Sequence, residues 1–528
     1  MRRSLALSLL LGLSLADGAL AVSEPRLVAD LGTELPLGAG SSPHGFSSLD
    51  RHVVFAARPD DHADRFYRSD GTATGTGLLA APCAPLEGGW ISLLYAGTSR
   101  AFYGVGCDGN DTALWTSDGK AAGTIPLLPA GAYQYASPFY PAPCWVEAEG
   151  QTYFFQGGNY AAPLELWKTD GTPTGTVRLA VLTDQNGATG ALARMGNGEL
   201  LLLVWEHFAS LAVWRSDGTV AGTAVATAVD LGGPSFSVRS FAATEDAIYF
   251  MVEAGAPYVK QLWSSNGTST ATHRLASFDT GIWDGMVEHE GAVYFAAAAE
   301  GGDGIWRSDG TPATTRRIAA LDGRDISPAS FAFLGNRIYW LGFAADWSAG
   351  SLYGAPIVGG DPEELLQSCA GGFCSPLYEN LWLHTVGDSL VFARRQSGAA
   401  EVWRSGGVAG DTARLAPLCD AADCGYGGYG SVVLGDRLFF VHRGPGGAAE
   451  ELWISDGTTG GTLRLAGPQT VIPLGAPSDR SPIAGLSDAS GWLFAAGDRE
   501  HGIELWRAEA VPDSGARVAD LRLDRPSL

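Results

Sequence analysis

Short apolar runs alternate with clusters of glycine and small polar residues along almost the whole chain. Runs of this kind cover residues 52–58, 101–106, 152–158, 201–207, 247–253, 292–298, 337–343, 389–395, 437–443 and 492–498. No helical period of useful length appears after the first twenty or so residues, so strands bounded by turns are predicted. An aromatic residue follows each run: Tyr67, Trp115, Trp167, Trp214, Trp263, Trp306, Tyr353, Trp403, Trp453 and Trp506. These anchors recur at intervals of 43 to 53 residues. A fixed period of that size is the mark of a repeat architecture.

The best copies read ELWKTDGTPTGT, from Glu165, and ELWISDGTTGGT, from Glu451. Glycine stands four residues after the anchor in eight copies, from Gly71 to Gly457, and threonine nine residues after it in the same eight. Ser-Asp-Gly-Thr is turn chemistry: Asp accepts a hydrogen bond from backbone two residues on, and Gly supplies a positive φ. Each motif is therefore a hairpin. Its Asp, present in six copies, is read as a turn residue rather than a catalyst. Short turns such as Gly196-Asn197-Gly198 precede the runs, and a further strand precedes those turns. Four strands in about 49 residues describe a propeller blade.

This motif resembles that of the bacterial ELWxxDGT repeat proteins, over roughly residues 64–521. The resemblance implies export and an all-β repeat fold, without an implied activity. The expected fold is an all-β propeller of about ten four-stranded repeats. A single ring is preferred, and two five-bladed rings dividing near Phe278 are the alternative. Residues 26–31 resemble residues 517–521, and one of them is expected to complete a blade begun at the opposite end of the chain.

Charge and the N-terminus narrow the setting. The net charge of −23 disfavours nucleic acid and anionic membranes as partners. Arg2, Arg3, the apolar stretch 5–15 and Ala19-Leu20-Ala21 read as a signal peptide over residues 1–21, leaving 22–528 as the repeat domain. No later segment suits a membrane span. A secreted, periplasmic or cell-exterior protein is expected, with an extracellular or envelope protein or polysaccharide as partner.

Two GxGxxG matches, at Gly104/Gly106/Gly109 and Gly425/Gly427/Gly430, lack the helix that a dinucleotide site needs. HExxH, GxSxG, Walker and CxxC patterns are absent from the sequence. The Asp-Gly spacing differs from the Asp-box of sialidases. Asp60, Asp61, Asp64, Asp108, Asp111, Asp303, Asp498 and Glu500 are read as solvated loop tips, with Ca²⁺ as the alternative. The expectation is a non-catalytic binding or scaffold protein without cofactor. A propeller-type polysaccharide hydrolase or lyase is the alternative.

Seven cysteines in an exported chain point to disulfides. Cys369–Cys374 and Cys419–Cys424 are expected as local pairs. Cys83 is expected to pair with Cys107 and leave Cys144 free, with Cys107–Cys144 a close alternative. All should share the face that carries the starts of the first strands. Trp90, Trp145, Trp283 and Trp382 stand at or near those starts and are the candidate ligand-binding residues. The competing reading places each in ordinary core.

Overall fold

The computed structural model describes residues 21–22, 26–29 and 41–511 apart from internal stretches, the longest being 134–142, 371–381, 421–430 and 465–482. Among the described residues every element is a β-strand except one short 3-10 turn, Ala121–Gly123. The strands form antiparallel meanders. Ala188–Arg194, Leu200–Glu206, Ser210–Ser216 and Ala224–Ala228 pair in chain order and represent the type.

Seven sheets contain four strands each. Two further units share one nine-stranded sheet, because Cys369 and Ala370 pair in parallel with Arg395 and Gln396. The last sheet holds Ile483–Gly485, Gly491–Asp498 and Gly502–Val511, and its next strand is Arg26–Ala29 from the other end of the chain. The expected exchange between termini is thus made by the N-terminal segment. Residues 517–521 lie outside the described residues.

Second strands are buried almost throughout. Ala101–Cys107 and Leu200–Glu206 each hide six consecutive residues. A strand covered on both faces reads as an unbroken apolar run instead of an alternation. That is why these runs dominate the sequence pattern. A register shift stands just before the aromatic anchor in seven hairpins, including Leu166/Trp167 and Val213/Trp214. Such a bulge re-aims the residue that follows it, here turning the ring onto the sheet's packing face.

Sheets pack face to face. Phe102 and Leu114 of one sheet join Trp145 and Phe154 of the next, and Leu203 and Val213 join Val238 and Phe250. Packing is continuous at Phe278, which meets Phe295 of the following sheet at 5.5 Å. The last sheet in turn packs Leu493, Ala495 and Leu505 against Phe46, Phe55 and Tyr67 near the start of the chain.

Candidate functional site

The repeated Asp is bound within its own turn. In the hairpin after Trp167, the Thr172 N–H and hydroxyl donate to Asp170 Oδ1 at 2.8 and 2.7 Å. The Gly175 N–H donates to Thr172 Oγ1, and the Thr176 hydroxyl donates to the Thr172 carbonyl. Gly171 sits at φ 85° and its N–H donates to Thr169 Oγ1. The bonds from Thr172 hold the Asp170 carboxyl below its ordinary range. The same network recurs at Asp70, Asp217 and Asp456. A carboxylate so engaged supports a turn.

The motif's glutamate is structural too. Trp167 Nε1 donates to Glu165 at 2.9 Å, and Arg178 donates to the other oxygen at 2.6 Å. Glu401 and Glu451 bind Trp403 with Arg414 and Trp453 with Arg464 in the same way. Burial pushes the Glu401 carboxyl up, but the bonds from Trp403 and Arg414 outweigh it and hold it below its ordinary value.

A further contact ties unit to unit. The residue after the anchor reaches the turn glycine carbonyl of the following unit: Arg68 to Gly119 at 3.3 Å, Lys168 to Gly218 at 2.7 Å and Ser264 to Gly310 at 3.3 Å. Arg507, after the last anchor, donates to the Gly71 carbonyl of the first turn at 3.1 Å.

A cleft of about 820 Å³ opens where four consecutive first strands run into their turns. Trp145, Leu192, Met195 and Phe241 supply its apolar floor and are buried. Glu147, Glu245, Asp246, Glu288 and Glu290 line it with carboxylates. Arg194 is the only cationic side chain among the described lining residues. Contacts between successive turns set the rim. The Thr98 N–H and hydroxyl donate to Glu147, and the Gly196 N–H donates to the Glu245 carbonyl at 2.7 Å. Glu290 holds φ 48°, a left-handed conformation uncommon for a residue with a side chain. The cleft can neutralise a cation and cover an aliphatic stem at once.

The three candidate tryptophans among the described residues are not brought together. Trp145 stacks on Phe154 at 4.5 Å and on Tyr95 at 5.8 Å, so it is core that also floors the cleft. Trp382 is partly buried against Phe440 at 4.8 Å. Trp90 is 43% exposed. Trp283 lies outside the described residues. The cleft opens at the turn ends of the first strands, whereas Trp90 and the Cys83–Cys107 disulfide stand at the opposite end. Cys144 is a buried thiol outside any disulfide. Cys369 and Cys419 are disulfide-bonded, and their expected partners Cys374 and Cys424 lie outside the described residues.

Asp64 corrects the loop-tip reading, because it is 3% exposed and held by three partners. Arg58 Nε donates to its Oδ1 at 2.9 Å, the Ile91 N–H donates to its Oδ2 at 3.0 Å, and His44 Nε2 lies 3.4 Å from Oδ2. His44 Nδ1 also lies 2.9 Å from the Ser42 carbonyl, and Nε2 lies 3.0 Å from that of Ile91. Both ring nitrogens face acceptors, which suits an imidazolium. Burial works against the charge, yet Asp64 outweighs it and pushes His44 up to about 9. A lone His and a nearby Asp carried no spacing signal, so the sequence reading missed the cluster. Of the other acidic loop residues, Asp60, Asp61, Asp108, Asp111 and Glu500 lie outside the described residues. Among the described residues no cluster of three or more His, Cys, Asp or Glu is placed to hold a metal.

No family model matches the chain, and no curated protein does. Solved structures do match. A puromycin hydrolase mutant complexed with PGG shares 12% identity over 68% of this chain and 61% of its own, with a TM-score of 0.31. A study of two prolyl endopeptidases gives 11% identity, 68% and 55% coverage and a TM-score of 0.35. A further puromycin hydrolase gives 12%, 80%, 61% and 0.30. The chain spans between about half and three-fifths of the length of these matched chains. The expectation of a non-catalytic binding or scaffold protein is corrected to this extent: the matches named here are a hydrolase and endopeptidases, and they give that expectation no support. The physical reason is that a β-propeller carries either kind of protein, so a repeat pattern without catalytic motifs does not identify a scaffold. At these identities and TM-scores the likeness transfers no activity.

Proposed function

We propose that the chain is a peptide-handling propeller whose acidic cleft takes an extended polypeptide segment bearing Lys or Arg. The observation that carries this reading is the cleft itself: five carboxylates and one arginine above a floor of Trp145, Leu192, Met195 and Phe241. A lysine or arginine can lay its stem on that floor while its head meets Glu245, Asp246 or Glu288. The overall charge of −23 draws a basic segment in from a distance. The cleft volume falls within the ordinary range for ligand sites, roughly 300–1,000 Å³.

The test is fluorescence anisotropy with labelled Lys-Ala and Glu-Ala repeat peptides. The basic peptide is expected to bind and the acidic one not. Binding should weaken as ionic strength rises from about 0.01 to about 0.15 M, where the Debye length falls from about 30 to about 8 Å. Glu245→Gln with Glu288→Gln should cost about tenfold in affinity. Equal binding of both peptides, or an unchanged double variant, rejects the reading.

We further infer that ten four-stranded units close in one ring. The support is that Arg26–Ala29 completes the last sheet and that Arg507 repeats, toward Gly71, the contact linking consecutive units. Negative-stain images should show single rings, and paired smaller rings would overturn this. Export is supported by the disulfide bonds at Cys83, Cys107, Cys369 and Cys419. No helix among the described residues is long and apolar enough to cross a membrane.

A further inference from the structure

We propose that Trp90 is a stacking platform for one hexose ring of a glycan, at a site separate from the acidic cleft. Among the described residues Trp90 is the only exposed large aromatic that the apolar surface offers, at 43% exposure. Tryptophan is highly buried on average, so this one calls for a reason.

Its seat is unusual. Trp90 faces Gly106 in the sheet register, and Gly106 faces Thr112. A Cβ added at Gly106 would stand 2.4 Å from the indole Nε1 and 2.6 Å from Cε2. One added at Gly104 would meet Cζ3 at 3.5 Å. The ring therefore lies across a strip of bare backbone. Glycine inside a strand is destabilising by roughly 0.5–1 kcal/mol against alanine, so this seat opposes strand stability. Fold alone does not require the indole to lie flat and open there.

The surroundings are polar and stiff. Ser92 shares the Trp90 side of its strand, and Thr112 stands across Gly106. The Cys83–Cys107 disulfide lies beside Gly89, and Arg58 donates to the Gly89 carbonyl at 3.1 Å while its side chain stays 43% exposed. A single flat ring among hydroxyls and a guanidinium is too small for a protein-docking patch, which needs contiguous apolar area. It suits a pyranose, whose C–H face stacks on the indole while its hydroxyls reach Nε1–H, Thr112 or Arg58.

The probes are cellohexaose, mannohexaose and chitohexaose, titrated calorimetrically into the intact chain. At least one is expected to bind, with Trp90→Ala weakening it about tenfold or more. Gly106→Val, which takes the indole's seat, should weaken it similarly. The basic-peptide affinity of the cleft should stay unchanged in Trp90→Ala, so the two proposals fail separately. Absence of binding by all three hexaoses at millimolar concentration overturns the proposal. So does a Trp90→Ala variant that binds as well as the parent.

Discussion

Replacing Asp170 tests the hairpin argument with a control the chain itself contains. Asp170 Oδ1 accepts two hydrogen bonds, from the N–H and the hydroxyl of Thr172. Removing an exposed turn acceptor of this kind costs about 1–2 kcal/mol. In Asp170→Ala, opening of that hairpin should then become roughly 5–30 times more frequent. The Trp263 hairpin shows what an amide does in the same place. There Asn266 Oδ1 accepts from the Thr268 N–H at 3.1 Å and from its hydroxyl at 2.8 Å. Asp170→Asn should therefore stay within about 0.5 kcal/mol of the parent. Hydrogen-exchange mass spectrometry on peptides covering Leu164–Thr169 and Val177–Thr183 reads the effect locally, which suits a chain whose units need not unfold together. If Asn deprotects the hairpin as strongly as Ala, the charge and not the acceptor geometry holds the turn. If Ala changes nothing, the turn reading fails.

Two other outcomes are expected. His44 has a raised pKa, so its contribution to stability is complete below the unfolded value of 6.5 and is lost as pH rises through about 9. Thermal melts should fall across that window, and His44→Gln should flatten the fall; a parallel fall in the variant would refute the assignment. The Cys83–Cys107 bridge closes a loop with a sequence separation of 24, so Cys83→Ser with Cys107→Ser should cost about 3 kcal/mol in urea denaturation. Non-reducing peptide mapping of the same protein should join Cys369 to Cys374, and a Cys369–Cys419 peptide would contradict the local pairing.

The repeat was legible because it is written in local chemistry. Thr169 accepts from Gly171 and Asp170 from Thr172, all within four consecutive residues, so spacing alone exposes them. The 200–206 run was legible for a different reason, since burial on both faces leaves no polar position to break it. The glutamate of the motif hid in plain view. Its partners, Trp167 two residues on and Arg178 on the next strand, meet it only once the hairpin folds. The cleft was less legible still. Glu147, Glu245 and Glu288 belong to three separate sheets, far apart in the chain, and converge through sheet stacking. Trp145 illustrates the limit from the other side: its position at a strand start did not reveal that stacking on Phe154 and Tyr95 makes it core as well as cleft floor. Trp90 fitted the same pattern and differs because glycines, not side chains, face it.

The bond that Arg68, Lys168 and Ser264 each make to the next unit's glycine carbonyl has a direction. The unit of Arg68 gives one such bond forward and receives one from Arg507, so a copy of it arrives with both halves of its own joint. Gene duplication can then lengthen or shorten the array in whole steps without inventing a new interface. The contact that Arg507 makes with Gly71 uses the same joint, so it would accept any last unit with a side-chain donor after its anchor. Copy number in such a protein is free to drift, while the joint asks only for a donor, met here by Arg, Lys or Ser.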